Sequence, residues 1–195
     1  MPVPDSLPVP ESAIEFDPHK FEELVLYLAA RFERETYFGS TRLDKLLFCS
    51  DFMAYLRLGK PITGADYMAL ERGPSPRLLL PIRRQLLQRG DIALDRRGSQ
   101  DRIRPLREPN LSSFSAAEIA IVDAVIEELK SSPAALVGEL SHTFLGWKAA
   151  FAQSPNTSIP YSTVFVSNRP ADAFEAAHAE QLAERYGWKI STFAR

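Results

Sequence analysis

The chain has 195 residues, 45% of them hydrophobic and 25% charged, with a net charge of −2 and one cysteine. That composition is that of a globular protein with a sizeable core. No run of about 18 apolar residues exists to form a membrane-spanning helix, and a single thiol excludes intramolecular disulfides. Cys49, within Leu46-Leu47-Phe48-Cys49, reads as a small buried thiol, and a reducing, cytoplasmic setting is expected.

The first twelve residues, MPVPDSLPVPES, carry neither the basic nor the apolar region of a signal peptide. Residues 1–16 are read as a flexible, proline-containing lead-in. Asp17-Pro18 then supplies an N-cap followed by a first-turn proline. A helix from Pro18 to about Arg34 should bury the stripe Phe21, Leu24, Leu28 and Phe32. After Gly39-Ser40, a second helix over about Thr41 to Leu58 ends at Gly59. Its apolar residues cover more than one face, which predicts a central position. Lys45 and Asp51 on that helix would then need buried partners.

Tyr67–Leu70 is predicted extended. Ser75-Pro76 is read as opening a third helix that ends near Arg89 at Gly90, with Pro81 imposing a kink or a late start. Alternating residues around Arg97-Gly98-Ser99 predict a β-hairpin over Ile92–Arg96 and Arg102–Arg104. Ser115-Ala116-Ala117-Glu118 is a capping box, with Phe114 and Ile119 placed as a hydrophobic staple for a fourth helix. Ser132-Pro133 predicts a fifth helix, Ile159–Val166 an extended piece, and Ala171–Tyr186 a last helix. The expected fold is therefore α+β: one mainly helical domain over 17–195, about six helices, and a small hairpin or sheet. Its middle has the outline of a winged helix.

Charge is unevenly distributed. Residues 72–107 hold ten arginines and no lysine against Asp91, Asp95 and Asp101, so the remainder of the chain is strongly negative. Such segregation marks either a surface for an anionic or acidic partner, or arginines paired with acids elsewhere in the fold. Arg83, Arg84, Arg96 and Arg97 are the candidate contact residues, because guanidinium groups favour bidentate contacts to carboxylate or phosphate.

Catalytic constellations are weak. His19, His142 and His178 are scattered without ligand spacing. Ser141 and His142 are neighbours and point apart on a helix. Asp44 and Asp51 share a helix face but lack supporting residues, and no phosphate-binding glycine loop exists. No cofactor, metal or catalytic residue is assigned, and the chain is not expected to be an enzyme.

The ordered motifs do resemble one family, the SocA-like antitoxin or Panacea domain. Lys45 to Phe52 resembles its K-L-L-F-x-x-D-F helix, and Gly59-Lys60-Pro61-Ile62-Thr63-Gly64 its G-[RK]-P-I-T-G turn. Tyr67–Leu70 with Gly73-Pro74-Ser75-Pro76 resembles its extended piece and G-P-x-P element. Leu140-Ser141-His142 with Gly146-Trp147, and Ile159-Pro160-Tyr161, resemble its later motifs, so that the likeness covers about residues 20–165. Glu71-Arg72 departs from the aromatic often found before the G-P turn. The last helix lies beyond the likeness. Both departures bear on the identity of the toxin rather than on the fold.

The resemblance implies an antitoxin of a bacterial or phage toxin–antitoxin pair. It would neutralise a toxin encoded by a neighbouring gene by direct protein contact, with neither cofactor nor membrane involved. Lys45, Asp51, Gly64, Tyr67, Gly73, Pro74, His142 and Trp147 are read as scaffold for that domain. Two alternatives remain open at this stage: a winged-helix-like regulator binding DNA, disfavoured by the acidic whole, and an adaptor delivering a partner to a protease.

Overall fold

In a computed structural model, the chain is described over residues 8–32, 40–97, 100–130, 143–166 and 181. Helix α1 (Pro18–Arg31) starts where Asp17 Oδ1 accepts a hydrogen bond from the Lys20 backbone N–H at 2.9 Å. The four residues of its predicted stripe are all fully buried. Helix α2 (Ser40–Leu58) ends at Gly59, whose φ of 72° suits a residue without a side chain. α2 is the hub of the molecule. It buries Leu43, Leu46, Leu47, Phe48, Phe52, Ala54 and Tyr55, and it meets α1, both hairpins and the fourth helix.

Strand β1 (Tyr67–Leu70) pairs antiparallel with β2 (Gly73–Pro76), Tyr67 opposite Pro76 and Leu70 opposite Gly73. The expectation that Ser75-Pro76 opens a helix is therefore corrected: these residues close a hairpin. Helix α3 (Leu79–Arg89) begins three residues later, the late start allowed by Pro81. The proline occupies the first helical turn, where N–H groups have no intrahelical acceptor to lose, and the helix stays regular. It stops at Gly90 in the left-handed conformation.

Strands β3 (Ile92–Arg97) and β4 (Gln100–Pro105) form the second, longer antiparallel hairpin. Helix α4 (Ala116–Lys130) is entered through the predicted capping box. The Ser115 N–H donates to Glu118 Oε2 at 2.7 Å, and the Glu118 N–H donates to Ser115 Oγ at 3.3 Å. α4 buries Val122, Val125, Ile126 and Leu129 against α2. The helix expected from Ser132-Pro133 lies outside the described residues, as does that expected over 171–186 apart from Gln181.

Helix α5 (Leu145–Gln153) packs on β1. The extended piece predicted at 159–166 is displaced. Pairing with β1 occurs at 156–159, where the Ala69 N–H donates to the Thr157 carbonyl and the Ile159 N–H to the Tyr67 carbonyl. Residues Tyr161–Phe165 then coil into a 3-10 turn. The described residues thus contain five α-helices and two antiparallel hairpins, a mainly helical α+β fold.

Residues 8–16 lie against the turn that follows α2. The Val9 N–H donates to the Gly59 carbonyl at 2.7 Å, the Tyr55 hydroxyl to the Val9 carbonyl at 2.8 Å, and the Asp17 N–H to the Thr63 carbonyl at 2.8 Å. Gly64 makes this approach possible. Its φ is +68°, and a Cβ there would lie 2.3 Å from the Glu15 carbonyl oxygen.

Candidate functional site

Two buried charged residues of α2, Lys45 and Asp51, reach the β1–β2 hairpin. Asp51 is completely buried. Its carboxylate accepts from the Thr63 N–H at 2.7 Å, the Thr63 hydroxyl, and the Tyr67 hydroxyl at 2.8 Å. The Tyr161 hydroxyl stands 3.5 Å from the same oxygen and donates to the Ala65 carbonyl at 2.7 Å. Burial pushes the Asp51 carboxyl upward, and the bonds from Thr63 and Tyr67 oppose that shift by favouring the ionised form. Burial and the nearby carboxylate raise both tyrosine hydroxyls well above their ordinary range, so they remain protonated donors.

Lys45 enters the same hairpin from its turn. Its Nζ donates to the carbonyls of Arg72 at 2.7 Å and Pro74 at 3.3 Å. Burial lowers its pKa to about 8, opposed by the neighbouring charge of Asp44. Gly73 permits the turn with φ of +99°. From the far side, the Trp147 indole N–H donates to the Leu70 carbonyl at 3.1 Å, and its ring stacks on Phe151. Phe48, Phe52, Phe144 and Tyr161 surround Tyr67 or one another at ring separations near 5 Å. His142 lies outside the described residues.

Sequence reasoning paired Asp51 with no partner and passed over Thr63 and Tyr161, although both stand inside motifs it quoted. Asp44 and Asp51 do not share a site. Asp44 lies beside Ser75 of β2, and burial raises its pKa from 3.8 to about 6, opposed by the polar Ser75 and by the charges of Lys45 and Arg83. Its Oδ1 is buried with no hydrogen-bond partner among the described residues.

The arginine segment divides into two groups. Arg77 meets Asp66, Arg89 meets Glu22 and Asp91, Arg104 meets Asp95, and Arg107 meets Glu23 and Asp91. Arg102 is buried and donates to the Phe32 carbonyl. Much of the basic surplus is consumed within the fold, by acids on α1 and in nearby turns. Of the candidate contact residues, Arg83 is half-buried near Asp44, and Arg84 is exposed. Arg96 and Arg97 lie on β3, and their side chains are outside the described part.

Among the described residues, no thiol is paired with a histidine. Burial raises the Cys49 thiol to about 11, leaving it protonated and a poor nucleophile at neutral pH. His19 contacts Ser113 Oγ at 3.1 Å at the surface. Among the described residues, no group of three His, Cys, Asp or Glu is arranged to hold a metal ion. No described helix is long and apolar enough to cross a membrane. A groove of about 620 Å³ between α2 and α4 is lined by Cys49, Met53, Ala120, Ile121, Ala124 and Leu129, among others.

A family model, the Antitoxin SocA-like, Panacea domain, matches residues 43–148, more than half of the chain. The chain belongs to the SocA-like Panacea antitoxin family. The match begins in α2 and extends to Lys148 in α5, and so takes in both hairpins and the Lys45, Asp51 and Tyr67 network of this Panacea domain. No curated protein and no solved structure matches the chain.

Proposed function

We propose that this Panacea protein is the antitoxin of a bacterial or phage toxin–antitoxin pair, and that it neutralises a toxin encoded by a neighbouring gene through direct protein–protein contact in the cytoplasm. The family match over residues 43–148 carries this reading. The motif residues support it indirectly. Lys45, Asp51, Tyr67 and Trp147 are all spent on internal hydrogen bonds that shape one hairpin, so recognition falls to surface residues outside the motifs. No residue is assigned to catalysis.

The domain is taken to run from residue 17 to the C-terminus, beyond the matched segment, because α1 contributes Phe21, Leu24 and Leu28 to the same core. Contact with the toxin is assigned to the arginine-bearing surface that includes Arg83, Arg84, Arg96 and Arg97, opposite an acidic toxin face. Stable occlusion of a toxin would bury about 1,600 Å² in total. The test is co-expression with the adjacent gene. Growth arrest by the neighbour alone, relieved by this protein with a co-purifying complex, is the expected result. A harmless neighbour with no complex would overturn the reading.

A further inference from the structure

Helices α2 and α4 leave an apolar groove between them that the described residues do not fill. The two helices run antiparallel, because the Arg42 guanidinium at the start of α2 donates to the Leu129 and Lys130 carbonyls at the end of α4. Cys49, Met53 and Arg57, four residues apart on α2, form one wall, and Ala120, Ile121 and Ala124 on α4 form the other. Met53 is 38% exposed, and Ala120 and Ala124 are exposed as well. The inner stripe of α4 is already spent on the core through Val122, Val125, Ile126 and Leu129. Both helices therefore carry a second apolar face at the surface, and such a face calls for cover.

The chain that follows can supply that cover. The 3-10 turn Tyr161–Phe165 packs on α2, with the Phe165 ring 5.8 Å from that of Tyr55, which lies between Met53 and Arg57 in the helix. Residues 167–195 come after Val166. The stretch 167–170 reaches up to about 13 Å, enough to round a helix roughly 10–12 Å across. From 171 to 186 the sequence has the punctuation of a helix, with Pro170 before it and Gly187 after it. Gln181 is helical and exposed. Opposite Gln181 on such a helix fall Ala176, Ala179, Ala183 and Tyr186, with Leu182 beside them. Small residues on that side suit a close approach to Ala120 and Ala124. A helix over 171–186 spans about 24 Å, against roughly 12 Å from Cys49 to Arg57. Charge agrees as well. Asp172, Glu175, Glu180 and Glu184 outnumber Arg185 in the segment, and Arg57 on the groove meets no carboxylate among the described residues.

We propose that the α2–α4 groove is the seat of the chain's own C-terminal segment, residues 171–186, docked as a helix with its alanine-rich side against Met53, Ala120 and Ala124. Asp172 and Glu175 enter at the Arg57 end, the end of α2 on which the 3-10 turn packs. Tethering decides between occupants. A segment joined by a short link competes at an effective concentration in the millimolar range, which a second copy of the chain does not reach. Burial of the two apolar faces stabilises the docked helix, which alone in water would be marginal at this length. The groove is then an interface within one chain and is not offered to a partner, whether or not the antitoxin reading holds.

Cys49, the only cysteine, is a reporter in the groove wall. The full chain is treated with a maleimide at fixed pH, and the rate of thiol modification is followed. Ala179→Glu and Leu182→Asp are each expected to raise that rate roughly tenfold or more by undocking the segment. Gln181→Glu, on the outward side, should leave it within about twofold. Amide exchange in α1 should stay at the parent's level, which separates an opened groove from an unfolded chain. Arg57→Glu, an exposed change on the groove, should raise the rate about threefold by repelling Asp172 and Glu175, and it keeps the test decisive if an inward variant loses the fold. Equal rates in the parent and in all three groove variants overturn the proposal. So does modification that accelerates on dilution together with a fall from dimer to monomer in sedimentation, since a second copy then covers the groove. If Leu136→Asp bares Cys49 and Leu182→Asp does not, the stretch between α4 and α5 is the cover and the proposal is overturned.

Discussion

The two hairpins of this Panacea domain are similar in form and held by different physics. β1–β2 has four-residue strands and is fixed by buried side-chain hydrogen bonds from Lys45, Tyr67 and Trp147. β3–β4 has six-residue strands; of its described arginines, Arg104 forms a half-exposed ion pair with Asp95 and Arg102 a buried bond to the Phe32 carbonyl. In the first hairpin the polar groups are paired inside the fold, Lys45 with two carbonyls and Tyr67 and Trp147 with one acceptor each. In the second, water and salt can substitute for most partners. Loss of a partner should therefore be expensive in one and nearly free in the other.

The sharpest break in that comparison is Asp51→Ala. It strands the Thr63 N–H and hydroxyl and the Tyr67 hydroxyl inside the core, and should cost about 3–5 kcal/mol. The midpoint of denaturant unfolding reads this directly. A loss below about 1 kcal/mol would show that water reaches the network and that the contrast is false.

Asp44→Asn tests the boundary between the regions, where α2 meets Ser75. The folded carboxyl has a pKa of about 6 against an ordinary 3.8. Between those values the folded chain holds more protons than the unfolded one, so this group lowers stability as pH rises from about 4 to 6. Asparagine should abolish that part of the slope and raise stability above pH 6 by on the order of 2 kcal/mol. Melting curves across pH 4–8 check it, and an unchanged slope would assign the pH dependence to other groups. Smallest of all, Arg104→Gln removes a half-exposed pair with Asp95 and should alter stability by no more than about 0.5 kcal/mol.

Features legible in the sequence were those whose causes are local. The Asp17 cap, the Ser115–Glu118 box and the stops at Gly59 and Gly90 each depend on residues within one turn. Gly-Pro-Ser-Pro was misread because Ser75-Pro76 has the local signature of a helix start. What holds it extended is β1 and the Lys45 ammonium, which reaches the Pro74 carbonyl from 29 residues away. The aromatic segment 159–166 misled for a similar reason: strand-forming composition said nothing of the register in which β1 had already been paired. At the candidate contact surface, the arginine surplus was plain but its neutralisation was not. Glu22 and Glu23 on α1 reach Arg89 and Arg107 only in the folded chain.

The contacts of residues 8–17 have a mechanical consequence. A pull on the N-terminus, as by an unfolding protease, first loads the bonds from Val9 to Gly59 and from Asp17 to Thr63. Thr63 is also the residue whose N–H and hydroxyl feed Asp51. Traction from that end is therefore transmitted within one residue to the buried carboxylate, before α1 has begun to unwind, and the N-terminus becomes the handle by which the family's motif turn can be dismantled.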